Sequence, residues 1–337
     1  MTAGTGISPR VRPQATDVVT REIVKNALTS IADEMALTVI RTAHSQIVRD
    51  TMDFATVLFG PRGDVIAQGA TLPLHLGAMP DAMRALLSKY GEDIRPGDVF
   101  ILNDPDEGGM HLPDIFLIQP IFDGAERVGF AGTTAHQADI GGRVPGGNAA
   151  DSTEIFQEGL QIPLLKLFDQ GVENHAIMAI LRRNVRVPEL VMGDVRAQLA
   201  AAHTAEKRLL ELVKAYGRDE LLAYMDDILD ATEAFVRGEI AAMPDGSYTF
   251  CDHIDDDGLG SGPLRIAVEV TVSGETLTLD FDGSASQVRS ALNATLSIVK
   301  AAVYTALMCA SWTLPEAWPA TTDSRGPSTS SPLPVRC

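Results

Sequence analysis

The chain has 337 residues, 45% of them hydrophobic, which is enough to build packed cores in two or three ordinary domains. Its 45 acidic residues against 27 basic ones leave a net charge of −18, which repels phosphate backbones, and no basic cluster offsets it, so nucleic-acid binding is not expected. No apolar run reaches the length of a membrane span and the first residues lack the apolar core of a signal peptide, so no membrane role is expected and the cytoplasm is the expected compartment.

After a polar leader (residues 1–16, expected to be disordered), residues 17–47 carry Ile23, Ala27, Ile31, Met35 and Val39 at three and four spacing, which predicts one long amphipathic helix. In MDFATVLFGPRGDVIAQG two β-rich runs flank Gly60–Gly63, a hairpin turn signal, with Asp53 at the entrance to the first strand. A loop carrying His75 then feeds a helix that starts near Pro80 and Asp81 and stops at Gly91. From Asp98 to Ala135 the runs VFILND, IFLIQPIF and VGFAGTTAH predict strands. Residues 140–166 are rich in Gly and Pro and read as a loop wrapped close to a site.

Helices are expected over 174–217, broken at Pro188, and over 218–238; β-structure returns from Gly246 to Asp282, and 291–312 reads as an apolar helix. Strands and helices are grouped without strict alternation, so the fold class is α+β, with mixed sheets, long helices and a metal site at the strand ends. The expected division is a catalytic region at 17–240, a second, incomplete β-rich region at 241–312 and a disordered tail at 313–337. In that tail thirteen of 25 residues are Pro, Ser or Thr, too polar and too proline-rich to pack.

The segment NDPDEGGMHLPD…TTAHQADIGG carries the chemistry. It holds two His-x-x-Asp units, His111/Asp114 and His136/Asp139, which a hairpin would bring together. Imidazoles with carboxylates suit a divalent metal such as Zn²⁺, Mn²⁺ or Fe²⁺. Gly108, Gly109 and Pro113 predict a turn, so His111 and Asp114 can converge where a straight strand would part them. His136 then meets them from the neighbouring strand. Asp139 serves either as a fourth ligand or to orient a ligating imidazole; His75 competes for the same roles. His44, His175, His203 and His253 read as ordinary core or surface histidines, and Cys251, Cys309 and Cys337, far apart and without a Cys-x-x-Cys pattern, as reduced thiols that bind nothing. Asp194 and Gln198, one helical turn apart, read as a solvated face. None of the Gly-rich pieces fits a phosphate cradle, so nucleotide binding is not expected of this chain alone.

With these motifs laid out, the chain resembles the hydantoinase B/oxoprolinase family. The matching stretches are MDFATVLFGPRGDVIAQG, LHLGAMPDAM, GDVFILNDPDEGGMHLPDIFLIQPIF, AHQADIGGRVPGG, EIFQEGLQIPLLKL, NVRVPELVMGDVRAQLAA and FDGSASQV…ALNAT, over about residues 17–300. The resemblance fades after Trp312, where a frameshift or premature stop would produce the observed tail, and a truncated, inactive remnant is one expectation. It implies four metal ligands, Asp53, His111, Asp114 and His136. Asp139, Asn103 and Asp104 would then be catalytic or supporting residues and Arg186 a contact for an anionic group, against their plainer reading as turn formers and a surface ion pair. The resemblance also implies a division of labour. An A-type partner subunit with an actin-like ATPase fold would use ATP to phosphorylate the carbonyl oxygen of a small cyclic amide, a hydantoin, 5-oxoproline or a related lactam. Ring opening would follow at the metal of this B-type subunit, and the alternative is a ketone carboxylase subunit with the same ligands.

Overall fold

The computed structural model describes residues 17–310 and the backbone of 335–336. The expected disordered leader and tail lie outside the described residues. Helix α1 (Val18–Thr42) is capped by Asp17, whose carboxylate accepts the Thr20 N–H at 3.0 Å. The single helix expected over 17–47 is divided: α1 stops at Thr42 and a one-turn helix α2 (Gln46–Arg49) follows. The break has a physical cause. Oδ1 of Asp194 accepts the backbone N–H of His44 at 2.7 Å and of Ser45 at 3.0 Å, pulling the chain out of helical register. Gly193 makes room, since a Cβ there would stand 2.2 Å from the His44 ring.

The main sheet is built from β1 (Phe54–Phe59), β2 (Val65–Gln68), β3 (Val99–Leu102), β4 (Asp114–Asp123), β5 (Glu126–His136), β6 (Leu165–Asp169) and β7 (Val172–Glu173). Its order is β2-β1-β5-β4-β3-β6-β7 and every pairing is antiparallel. The β6–β7 hairpin falls largely between the loop read at 140–166 and the helix expected from 174, in residues to which the pattern assigns no element. Strand alternation divides the sheet cleanly. Phe54, Leu58 and Ala135 face α1, α5 (Pro188–Tyr216) and α6 (Arg218–Ala241), whereas Ala55, Val57, Phe116 and Ile118 face α3 (Met79–Tyr90). Beyond them, Ile115 and Leu117 pack with Met178 and Leu181 of α4 (His175–Asn184) and with α5.

The expected solvated face on α5 is a correction. Asp194 and Gln198 are both fully buried, and Gln198 donates to the Ile115 carbonyl of β4 at 2.9 Å. An antiparallel sheet β8 (Gly246–Ile254), β9 (Leu264–Ser273), β10 (Thr276–Asp280) follows, with 335–336 paired in parallel on the β10 edge. Helix α7 (Leu296–Ala310) leads back to the main sheet and packs on the turn at Pro73–Gly77.

Candidate metal centre

Three adjacent strands set the site. Asp114 opens β4 and pairs directly across with His136, the last residue of β5; one strand further, the His136 N–H donates to the Asp53 carbonyl at 3.0 Å, at the entrance to β1. Asp53, His136 and Asp114 thus form one row across the sheet. Alternation points all three to the α3 face, since each sits two residues from a side chain buried there or from its cross-strand partner. Met52, just before Asp53, takes a left-handed conformation (φ 54°) that turns the chain into the strand.

His111 arrives from the turn ahead of β4, closed by the Asp114 N–H on the His111 carbonyl at 3.0 Å. The side chains converge tightly. His136 Nδ1 lies 3.1 Å from both Asp114 Oδ1 and His111 Nε2, and His111 Nδ1 lies 3.3 Å from Asp114 Oδ2. Among the described residues, His111, Asp114 and His136 form a group whose donor atoms all fall within 4.8 Å of one another. Asp53 Oδ2 stands 4.0 Å from His136 Nδ1.

Electrostatics sharpen the picture. Burial opposes ionisation of Asp114, yet the His136 hydrogen bond and three neighbouring imidazoles hold its carboxyl below the usual range. Burial also disfavours a charged His136, but bonding to Asp114 and the charges of Asp114 and Asp53 raise it above the ordinary histidine value. In His111 burial prevails, aided by the two other imidazoles, and its value falls. An ionised carboxylate therefore faces one imidazole, His111, that burial keeps neutral with its lone pair available, and a second, His136, that it draws toward the protonated form.

The donor set fits a divalent cation. Asp114 Oδ2 is buried without a hydrogen-bond partner, and a lone pair so placed costs about 1–3 kcal/mol unless something satisfies it. Two imidazole nitrogens 3.1 Å apart, one also facing a carboxylate, compete for the same proton; a shared cation would satisfy all three.

The other expected site residues are placed differently. Asp139 is buried, and its carboxylate accepts the N–H groups of Gly141, Gly146 and Arg186 and the Arg186 guanidinium, the last at 2.8 Å. Burial works against its charge, but these four donors hold it below the usual carboxylate value. Arg186 is spent on the same loop, since its guanidinium also donates to the carbonyls of Gly141, Gly142 and Val144. Asn103 is fully buried and donates to the Leu112 carbonyl at 2.6 Å and the Leu160 carbonyl at 2.9 Å, while its Oδ1 accepts from Ile162 N–H. It thereby anchors Leu112, the residue that follows His111. Asp104 caps the short turn Pro105–Glu107 through Asp106 N–H at 3.0 Å.

His75, weakly marked in the sequence, lies against the cluster: its Nε2 stands 3.4 Å from Asp53 Oδ1 and 3.5 Å from Asp114 Oδ2. The sequence offers it only as a competitor for these roles, because a turn elsewhere in the chain carries it in. Among the described residues, no helix is long and apolar enough to cross a membrane.

A model of the family described as hydantoinase B/oxoprolinase matches residues 17–316. A protein of Pseudomonas sp. (strain NS671), provisionally named as the B-type subunit of a D-/L-hydantoinase, is 36% identical over 281 residues, covering 81% of this chain. The chain spans 48% of that relative, about half its length. The crystal structure of an ATP-dependent caprolactamase from Pseudomonas jessenii superposes with a TM-score of 0.87 at 30% identity, over 96% of this chain and 54% of the other. A nucleotide-free acetone carboxylase superposes with a TM-score of 0.80 at 22% identity, over 86% of this chain and 40% of the other, a likeness of fold.

Proposed function

The chain belongs to the hydantoinase B/oxoprolinase family, and from that premise we propose that it is the metal-dependent B-type subunit of an ATP-dependent cyclic amidohydrolase. Asp53, His111, Asp114 and His136 hold one divalent ion, Zn²⁺ or Mn²⁺, with Fe²⁺ a third choice the same donors accept. The observation that carries this reading is the buried Asp114 Oδ2, unpaired and turned toward two imidazoles. When bound, the ion supplies Lewis acidity, for polarising a carbonyl or lowering the pKa of an attacking water.

The residues of this chain do the rest. The strand row fixes Asp53, Asp114 and His136 relative to one another before any ligand arrives, and Asn103 holds the turn that presents His111. Activation falls to an A-type ATPase partner that phosphorylates the carbonyl oxygen of a hydantoin, 5-oxoproline or a lactam such as caprolactam. Five-membered lactams and imides resist hydrolysis, and phosphorylation makes the ring carbon a better electrophile. The relative and the solved structure that carry hydantoinase and caprolactamase names support ring opening, whereas the acetone carboxylase likeness speaks for the fold.

The test is a ring-opening assay on the chain purified with its A-type partner, with hydantoin, 5-oxoproline and caprolactam in turn. The expected result is ATP-dependent ring-opened product, lost in His111→Ala/His136→Ala. A complex that holds metal and consumes ATP but opens none of these rings, and instead fixes bicarbonate on a ketone, would overturn the amidohydrolase reading.

A further inference from the structure

His75 is 1% exposed, and the turn at Pro73–Gly77 delivers it to the metal-facing side of the sheet from a segment that contributes nothing to the strand row. Its Nε2 stands between two carboxylates of different strands, 3.4 Å from Asp53 Oδ1 and 3.5 Å from Asp114 Oδ2, with β5 running between those strands. Its Nδ1 is buried without a hydrogen-bond partner. A proton on Nδ1 would be sealed in without an acceptor, so the proton resides on Nε2, where it faces two acceptor oxygens.

Resting on the metal-centre reading above, we infer that His75 is a positioning residue: its Nε2–H, 3.4 Å from Asp53 Oδ1, steadies that carboxylate for the ion and leaves Asp114 Oδ2 free to meet it. Asp53 has most need of such support. Its side chain is 27% exposed and it lies just ahead of β1, where the ladder holds its backbone carbonyl but not its carboxylate, whereas Asp114 is fully buried and bonded to His136.

The turn is braced from behind by α7. A Cβ on Gly77 would meet Ala301 N at 2.3 Å and Ala301 Cα at 2.5 Å, so the two backbones touch without space for a side chain. One turn into α3, Asp81 takes Lys300 Nζ on both oxygens at 3.0 Å and Ser297 Oγ at 3.0 Å, fastening the same helix to the same corner. The position of His75, and through it of Asp53, therefore depends on the docking of α7.

Three variants of the full chain test this: His75→Leu, His75→Gln and His75→Asn. Glutamine ends its amide nitrogen where Nε2 stands; asparagine keeps the polarity but reaches only to Nδ1. The readouts are Zn²⁺ affinity by competition with a chromophoric chelator and the visible absorption spectrum with Co²⁺. Leucine and asparagine are expected to weaken Zn²⁺ by about 10–100-fold, and glutamine to stay within about threefold with the wild-type Co²⁺ spectrum. If leucine prevents folding, the glutamine–asparagine pair decides alone. Wild-type affinity in the leucine or asparagine variant would make His75 a packing residue and overturn the inference. Loss in the glutamine variant with an altered Co²⁺ spectrum would make His75 a ligand and overturn it as well. A folded wild-type chain that takes up neither ion would fail the metal reading itself, and this inference with it.

Discussion

The segment NDPDEGGMHLPD…TTAHQADIGG writes His-x-x-Asp twice, and the two copies have opposite fates. In the first, a turn closes on itself and Asp114 becomes the opening residue of a strand, buried, bonded to His136 and left with one oxygen free. In the second, His136 ends its strand, and Asp139 lies in the loop beyond, where four donors consume both its oxygens. The same spacing thus supplies an open-handed carboxylate in one place and a satisfied one in the other. Satisfaction of the lone pairs, and not proximity in sequence, separates a candidate ligand from a structural anchor.

The largest effect that would sharpen this contrast is expected from Asp114→Asn. Removing the charge at the centre of the cluster should weaken Zn²⁺ binding by at least about 100-fold, beyond the range expected for supporting residues, as read by chelator competition. The same substitution at Asp139 should leave affinity per folded molecule unchanged; equal losses would erase the distinction.

The next effect concerns stability. Asp139→Ala removes the acceptor for three backbone N–H groups and the Arg186 guanidinium, and should cost about 2–3 kcal/mol in urea unfolding, a figure kept low because Arg186 is itself 41% exposed. Its pH dependence is a finer version of the same test. The folded-state value of Asp139 is lowered, so its contribution is full above the unfolded value of about 3.9 and fades as pH falls through the lower folded value. The stability gap between wild type and Asp139→Ala should therefore hold near pH 6 and shrink in acid. A gap independent of pH would mean that Asp139 acts through packing.

A smaller effect is expected from Gly77→Ala. The added methyl meets the α7 backbone, which should cost about 1–3 kcal/mol and loosen Zn²⁺ binding through the His75 turn, read by thermal unfolding with and without Zn²⁺. Destabilisation with unaltered Zn²⁺ affinity would separate α7 docking from the metal centre.

Much of this fold was legible because its strands alternate and its turns carry Gly and Pro. The β1–β2 hairpin around Gly60–Gly63 and the β4–β5 pair followed from local chemistry, and with them the meeting of Asp114 and His136. Less legible were features set by distant contacts. The break after Thr42 depends on a carboxylate 150 residues away, and Asp194, polar and one turn from Gln198, carries the same periodic signal whether it faces water or a buried backbone. His75 stood only as a competitor in the sequence, because it reaches the site through packing between α7 and its turn, which local spacing does not record. Asp139 and Arg186 looked chemical because charged residues among glycines often are; here they bind the glycine loop to itself.

The most direct test of the central claim is elemental analysis by plasma mass spectrometry on the chain purified with its A-type partner, beside His111→Ala/His136→Ala. The account predicts about one Zn or Mn per chain, absent from the variant, as the single cluster of donors among the described residues requires. A well-folded wild-type chain without stoichiometric metal, or a variant that keeps it, would contradict the account.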